Sequence, residues 1–145
     1  MRIGIIGAGH AGIEAAVAAR QAGADVTVYS AEAVLPYFRP RLVSVAMKQA
    51  EPAAIAMHPA AWYEERGIRL RLATPVTQLD VATRTIVARG MAEPYDAIVL
   101  SCGATPVRPR FAGETAAMPV HTLWQVTDAE AIRPHVRPDA RLVVI

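Results

Sequence analysis

The sequence predicts an α/β fold: a parallel sheet with helices packed on it, plus an inserted antiparallel β-hairpin or meander. Three observations predict it. Residues 2–30 read in order as an apolar strand, a glycine turn, an Ala-rich helix and a β-branched strand, which is a βαβ unit. The chain then leaves strict strand–helix alternation for a series of short strands between residues 68 and 101. Apolar residues make up 53% of the 145, a globular rather than a disordered composition.

The elements follow in order. RIGII (2–6) is a short apolar run with three Ile, suited to a strand buried on both faces. From Ala11 to Ala22 the spacing is helical, with Ile13 and Val17 one turn apart and Gly23 as the stop. DVTVY with Ser30 (25–30) is β-branched and aromatic, hence a second strand. In residues 31–42, Pro36 and Pro40 exclude regular structure, and a short helix is expected around 41–49. PAAWYEER (59–66) reads as a helix between Pro59 and Gly67. Residues 68–72, 76–80, 85–88 and 95–101 read as strands, with a hairpin turn around Val81–Arg84. Residues 102–119 are loop, a helix is expected near 126–133, and RLVVI (141–145) reads as a last buried strand.

Composition narrows the function classes. The formal net charge is +2, and the 14 arginines and Lys48 are scattered. A nucleic-acid partner would need its basic residues on one face, so none is expected. The apolar runs fall far short of the roughly 20 residues of a membrane span, and the amino terminus lacks the layout of a signal peptide. A lone cysteine, Cys102, excludes a disulfide framework within the chain. The expected location is cytoplasmic. His58, His121 and His135 show no metal-ligand spacing, so no metal site is expected. Trp62 and Tyr63 read as packing residues, Arg69 and Arg71 as solvated, and Asp128 and Glu130 as ordinary helix acids.

The glycines carry the chemistry. Gly7, Gly9 and Gly12 stand between the first strand and the first helix. A helix start offers unpaired N–H groups and the positive end of its dipole, and a diphosphate there collects several charge-assisted hydrogen bonds. Gly7 permits the bend, Gly9 lets the phosphates approach, and Gly12 lets helix and strand pack closely. The pattern is weak alone and strong in this strand–turn–helix–strand context. A second mark of such a site is an acid at the end of the second strand, for the ribose hydroxyls. Ser30 stands there, and Glu32 follows two residues on. Glu32 reads either as the ribose acceptor or as a solvated loop residue.

From the stretches GAGHAG (7–12), SAEAVLPYFRPRL (30–42), WYEERGIRLRLATPVTQLD (62–80) and YDAIVLSCGATPVRP (95–109), the chain resembles the FAD domain of the pyridine nucleotide–disulfide oxidoreductase superfamily. The branch is that of rubredoxin, nitrite and ferredoxin reductases. The resemblance implies a Rossmann-like FAD/NAD(P)-binding fold, with Ala8, Gly9, His10 and Ala11 lining the FAD pyrophosphate. It implies that Arg39 and Pro40 match a basic-Pro pair near the flavin ring, where a cation would stabilise the reduced anion. Arg39 also reads simply as an exposed loop arginine. Val76 falls where strand backbone meets the adenine, or is a plain core residue. Ser101, Cys102 and Gly103 replace an Ala-Thr-Gly of the family and would pack on the dinucleotide; Cys102 reads as a small packing residue.

Disulfide reductases of this kind carry cysteines just after the second strand, and residues 33–48 contain none. The resemblance therefore implies electron flow from NAD(P)H through FAD to an external electron-acceptor protein or a linked redox domain, with no thiol relay. It also implies a division into an FAD-binding part, 1–109, and the first elements of an NAD(P)-binding domain, 110–145. On that reading the chain is a portion of a larger flavoenzyme, inactive alone, and a homodimer is one compatible assembly. Two other readings stand beside it: an NAD-binding dehydrogenase domain, and a non-catalytic nucleotide-binding module. A visible flavin spectrum, NADH binding without FAD, or preference for ADP with no gain from the flavin half would separate the three.

Overall fold

Strand β1 (Arg2–Ile6) lies between two parallel neighbours, β2 (Asp25–Tyr29) and β7 (Ala97–Leu100). Strand β3 (Ile68–Arg71) pairs with the outer edge of β2, giving a four-stranded parallel sheet in the order β3-β2-β1-β7. The register sets Ile6 opposite both Tyr29 and Leu100, so β1, β2 and β7 end together. The computed structural model describes residues 1–114 and 119–145. By packing, the chain forms two units, Met1–Tyr37 with Ala56–Gly103, and Phe38–Ile55 with Ala104–Ile145.

The first unit has three layers. Side chains alternate along a strand, so Ile3 and Ile5 of β1, and Val26 and Val28 of β2, share one face. They pack with Ile13 and Ala16 of α1 (His10–Gln21) and Tyr63 of α3 (Ala60–Glu65). Ile5, Val26 and Val28 are fully buried, each stabilising the fold by about 1.5–3 kcal/mol relative to exposure. On the opposite face, Tyr29 joins Tyr95 and Ile86 and Ala88 of a three-stranded antiparallel sheet. That sheet is β4 (Val76–Asp80), β5 (Thr85–Ala88) and β6 (Met91–Pro94), in that order. The sheets approach so closely at Gly4 that an added Cβ would meet Ile86 Cδ1 at 2.6 Å and Tyr95 Cδ2 at 2.9 Å.

Local chemistry ends the elements where the sequence puts its breakers. Helix α1 closes with Gly23 N–H on Arg20 O (2.9 Å) and Ala24 N–H on Ala19 O (3.0 Å), a Schellman motif. In the turn before β5, Asp80 Oδ1 accepts the amides of Ala82 (2.9 Å) and Thr83 (3.1 Å). Strand β6 was not expected, because MAEP carries no alternating apolar pattern. Its hairpin makes it: Arg89 and Gly90 both have positive φ, +50° and +74°, the geometry of a two-residue primed turn.

The second unit is helical. Arg39–Arg41 form a 3₁₀ turn started by Pro40, so the proline-bearing stretch is not wholly irregular. It leads into α2 (Leu42–Ala46), shorter than expected. Helix α4 (Val126–Ile132) carries a reciprocal cap between Gln125 and Asp128, and Asp128 Oδ2 also accepts the Trp124 amide at 2.8 Å. Asp128 is thus a cap rather than an ordinary helix acid. Arg133 pairs with both oxygens of Glu51, at 2.9 and 2.6 Å. The expected loop at 102–119 is irregular as far as Glu114; residues 115–118 of it lie outside the described residues.

The expected strand at 141–145 does not form. Those residues have no ladder partner among the described residues, and Leu142, Val143, Val144 and Ile145 are 53%, 85%, 95% and 93% exposed. An apolar run becomes a strand only where another strand takes its backbone hydrogen bonds.

Candidate dinucleotide site at the glycine turn

The three glycines are bare for different reasons. Gly7 has φ +108°, and its amide donates to Tyr29 O at 2.9 Å. A Cβ there would lie 2.2 Å from the Ser101 carbonyl oxygen. A Cβ on Gly12 would lie 2.0 Å from Gly7 O and 2.7 Å from Ser101 Oγ. Both positions are closed by the protein's own backbone. Gly9 is different: its φ and ψ, −71° and −177°, suit any residue, and a Cβ there meets nothing within 4 Å. Nothing among the described residues requires Gly9 to be glycine.

Gly9 is also the N-cap of α1, a position that favours Ser, Thr, Asp, Asn or Gly. No side chain caps the helix, and its first turn holds no acid. The first intrahelical bond runs from Ile13 N–H to Gly9 O at 3.0 Å, so the amides of Ala11 and Gly12 precede the helical ladder. With His10 and Ala11 exposed and Ala8 half-buried, this helix start presents amides and a positive dipole end, with no acid in its own first turn.

Ser101, the residue after β7, holds the turn in place. Its amide donates to Ile6 O (2.8 Å), and its hydroxyl lies 2.9 Å from Gly7 O and 3.1 Å from Ile6 O. Cys102 and Gly103 follow, both exposed. Strand order reverses here: β2 and β3 extend from one side of β1, and β7 lies on the other. A crevice outside the carboxyl ends at such a switch point is where open α/β sheets bind ligands.

On the β2 side, Ser30 is buried, with its hydroxyl donated to Glu32 O at 3.1 Å. Glu32 is half-buried, and Tyr37 Oη donates to its Oε2 at 2.8 Å. The structure thus brings residues 7–12, Ser30, Glu32 and Ser101–Gly103 to the same end of one sheet. Val76, half-buried, begins edge strand β4 two residues after Thr74, whose amide donates to Ser30 O at 2.6 Å. Arg39 and Pro40 belong to the second unit. There the Arg39 guanidinium lies over the Trp124 ring, 4.9 Å from its centre, and donates to the Trp124 carbonyl.

Sequence reasoning missed a polar brace under this end of the sheet. Arg71 is not solvated: it forms a two-pronged ion pair with Glu93 and lies 5.3 Å from the centre of the Tyr29 ring. Tyr29 and Tyr95 share a hydrogen bond of 2.6 Å, and Tyr95 Oη reaches Glu93 Oε2 at 3.2 Å. Burial first, then the Tyr95 bond, pushes the Tyr29 hydroxyl above the ordinary phenol range. Burial pushes the Glu93 carboxyl up, but the Arg71 hydrogen bond and charge together outweigh it, and Glu93 lies below the usual range. Only β6 places Glu93 beside Arg71, so no local pattern signals the pair. Among the described residues no three potential ligands gather into a metal site, and no helix is long and apolar enough to cross a membrane.

A glycine turn between a parallel strand and a helix, at the switch point of such a sheet, defines the dinucleotide-binding class of α/β folds. The chain belongs to the pyridine nucleotide-disulphide oxidoreductase family, whose model matches residues 1–145. It is similar to the ferredoxin–NAD(+) reductase component of an anthranilate 1,2-dioxygenase system from Burkholderia cepacia, 35% identical over 97% of this chain and 36% of that one. It is similar also to a rubredoxin-NAD(+) reductase from Pseudomonas putida, 33% identical over 100% of this chain and 38% of the relative. Among solved structures, an NADH:rubredoxin oxidoreductase from Clostridium acetobutylicum superposes with a TM-score of 0.77 at 27% identity, over 92% of this chain and 35% of that one. The chain therefore spans little more than a third of the length of these relatives.

Proposed function

We propose that this chain is the FAD-binding portion of an NAD(P)H-dependent flavoprotein oxidoreductase that passes electrons to an external acceptor protein. The observation that carries the reading is Gly9. A Cβ there would meet nothing among the described residues, so its absence clears the approach to a helix start whose first turn holds no acid. In this reading the amides around Ala8–Gly12 hold the pyrophosphate, Glu32 takes the ribose hydroxyls, and the Val76 backbone meets the adenine. Ser101–Gly103 line the dinucleotide, with Ser101 also holding Gly7 in place. Arg39, next to Pro40, supplies a cation for the flavin ring, with Trp124 fixing its guanidinium. Bound there, FAD supplies the two-electron chemistry that links a nicotinamide to one-electron acceptors.

The antiparallel layer on the second face of the sheet supports this reading over a plain nicotinamide dehydrogenase domain. The names of the relatives support a small redox protein, a rubredoxin or ferredoxin, as acceptor. The absence of cysteine from residues 33–48 supports direct transfer without a redox disulfide. Residues 1–109 carry the FAD part, and 110–145 begin a nicotinamide-binding part.

Titration with FAD and with ADP tests the proposal. The wild-type chain should bind both saturably. Gly9→Ala should keep its fold to within about 1 kcal/mol, the usual scale of an N-cap change, because its Cβ meets nothing. It should nonetheless lose about tenfold or more in affinity for both nucleotides, some 1.4 kcal/mol. No saturable binding by wild type, or equal binding by Gly9→Ala, overturns it.

A further inference from the structure

We propose that Tyr37 is a positioning residue, which aims the Glu32 carboxylate at the adenosine ribose and thereby makes this site discriminate for the ribose diol. The inference rests on the dinucleotide reading above, and adds to it a residue outside the glycine turn.

The problem it addresses is geometric. The acid of such a site normally ends the second strand, and here Glu32 comes two residues beyond Ser30, in a bend. A glutamate in a loose bend would lose rotamer freedom on meeting a ribose, which opposes binding. The bend around Glu32 is not loose. Its carbonyl accepts the Ala73 amide at 2.9 Å and the Ser30 hydroxyl at 3.1 Å. The Ser30 backbone is held from both sides, its amide on Arg71 O at 2.9 Å and its carbonyl by Thr74 N–H at 2.6 Å. Ala73 adopts φ +47°, a left-handed conformation that costs an alanine energy and persists only where neighbours impose it. Arg89 secures it further, donating to Ala73 O at 2.8 Å.

Tyr37 completes the arrangement by fixing the side chain. Its ring is 7% exposed, and its backbone forms a bridge with Ala56. Met57 N–H donates to Pro36 O at 2.8 Å, pinning the residue before it. From this rigid base Tyr37 Oη reaches Glu32 Oε2 at 2.8 Å. A phenolic donor occupies one of the roughly four lone-pair sites that an ionised carboxylate offers, and so orients it. A hydrogen bond to a charged group is also worth more than a neutral one. The same fixed negative charge disfavours a phosphate on the ribose 2′ oxygen.

The test measures dissociation constants of the whole chain for ADP, 2′-deoxy-ADP and adenosine 2′,5′-bisphosphate, in wild type, Tyr37→Phe and Glu32→Gln. Wild type should favour ADP over 2′-deoxy-ADP by about tenfold, the scale of one good charge-assisted hydrogen bond. Tyr37→Phe should shrink that ratio to about threefold while leaving 2′-deoxy-ADP affinity unchanged, since the loss is confined to the ribose contact. Glu32→Gln should shrink it similarly and improve binding of the 2′,5′-bisphosphate. A merely structural tyrosine would weaken ADP and 2′-deoxy-ADP alike, and that result overturns the proposal. So does full discrimination by Tyr37→Phe. Equal binding of ADP and 2′-deoxy-ADP by wild type overturns it while leaving the dinucleotide reading intact. Failure of wild type to bind ADP or FAD at all sinks the dinucleotide reading, and this inference with it. Glu32→Gln reads the same contact should Tyr37→Phe not fold.

Discussion

RIGII at 2–6 and RLVVI at 141–145 are each an arginine followed by a short apolar stretch rich in β-branched residues. The first has parallel partners along both edges, and Ile5 is fully buried between α1 and the sheet. Its Arg2 lies over the Tyr95 ring at 5.2 Å and within 4.0 Å of Glu93. The second has no ladder among the described residues, and Ile145 is 93% exposed. The difference shows that a β-branched run states a preference and a neighbouring strand grants it. A strand's hydrogen bonds are all made outside itself, unlike a helix's.

The largest test of this contrast compares the two runs by denaturant unfolding. Ile5→Ala should cost about 2–5 kcal/mol, the range for a core Ile truncation, while Val143→Ala should change stability by no more than about 0.5 kcal/mol. A comparable cost at Val143 would mean that 141–145 is buried in solution.

A middle-sized effect sharpens what anchors β1 from its other face. Glu93→Gln breaks the Arg71 pair, which is only about a quarter exposed on the Glu93 side, and should cost about 1–3 kcal/mol near neutral pH. The sign with pH follows from the lowered carboxyl. A group with a depressed folded-state pKa stabilises above its unfolded value and loses that contribution as pH falls through the folded one. Wild-type stability should therefore decline on acidification below about pH 4.3, the ordinary glutamate value, and the variant should decline less steeply. Parallel acid profiles would remove Glu93 from the account.

The smallest effect runs in the opposite direction. Tyr63 packs into the core that β1 builds, yet its buried hydroxyl has no hydrogen-bond partner among the described residues, and burial pushes its pKa up to about 12. Tyr63→Phe should raise stability by about 1 kcal/mol, seen as a higher denaturation midpoint with unchanged slope. A loss of stability would show that the hydroxyl is satisfied.

Legible from the residues alone were the βαβ start, the glycine turn, the helix at 59–66 and the hairpin turn at 81–84. In each case the signal is local: a breaker, a cap or a 3.6- or 2-residue period acts within a few residues of where it is read. The sequence also marked residues 7–12 and Glu32 as candidates for one site, and the fold brings them to the same end of the sheet. Folding in three dimensions was needed to show that RLVVI has no ladder partner among the described residues, that MAEP becomes β6, and that Arg71 pairs with Glu93. The tertiary structure alone separated Gly9, where a Cβ meets nothing among the described residues, from Gly7 and Gly12, closed by backbone 2.2 and 2.0 Å away. It alone set the Tyr37 hydroxyl on the Glu32 carboxylate. Those outcomes depend on atoms brought together from distant parts of the chain, and no window of sequence contains both members of such a contact.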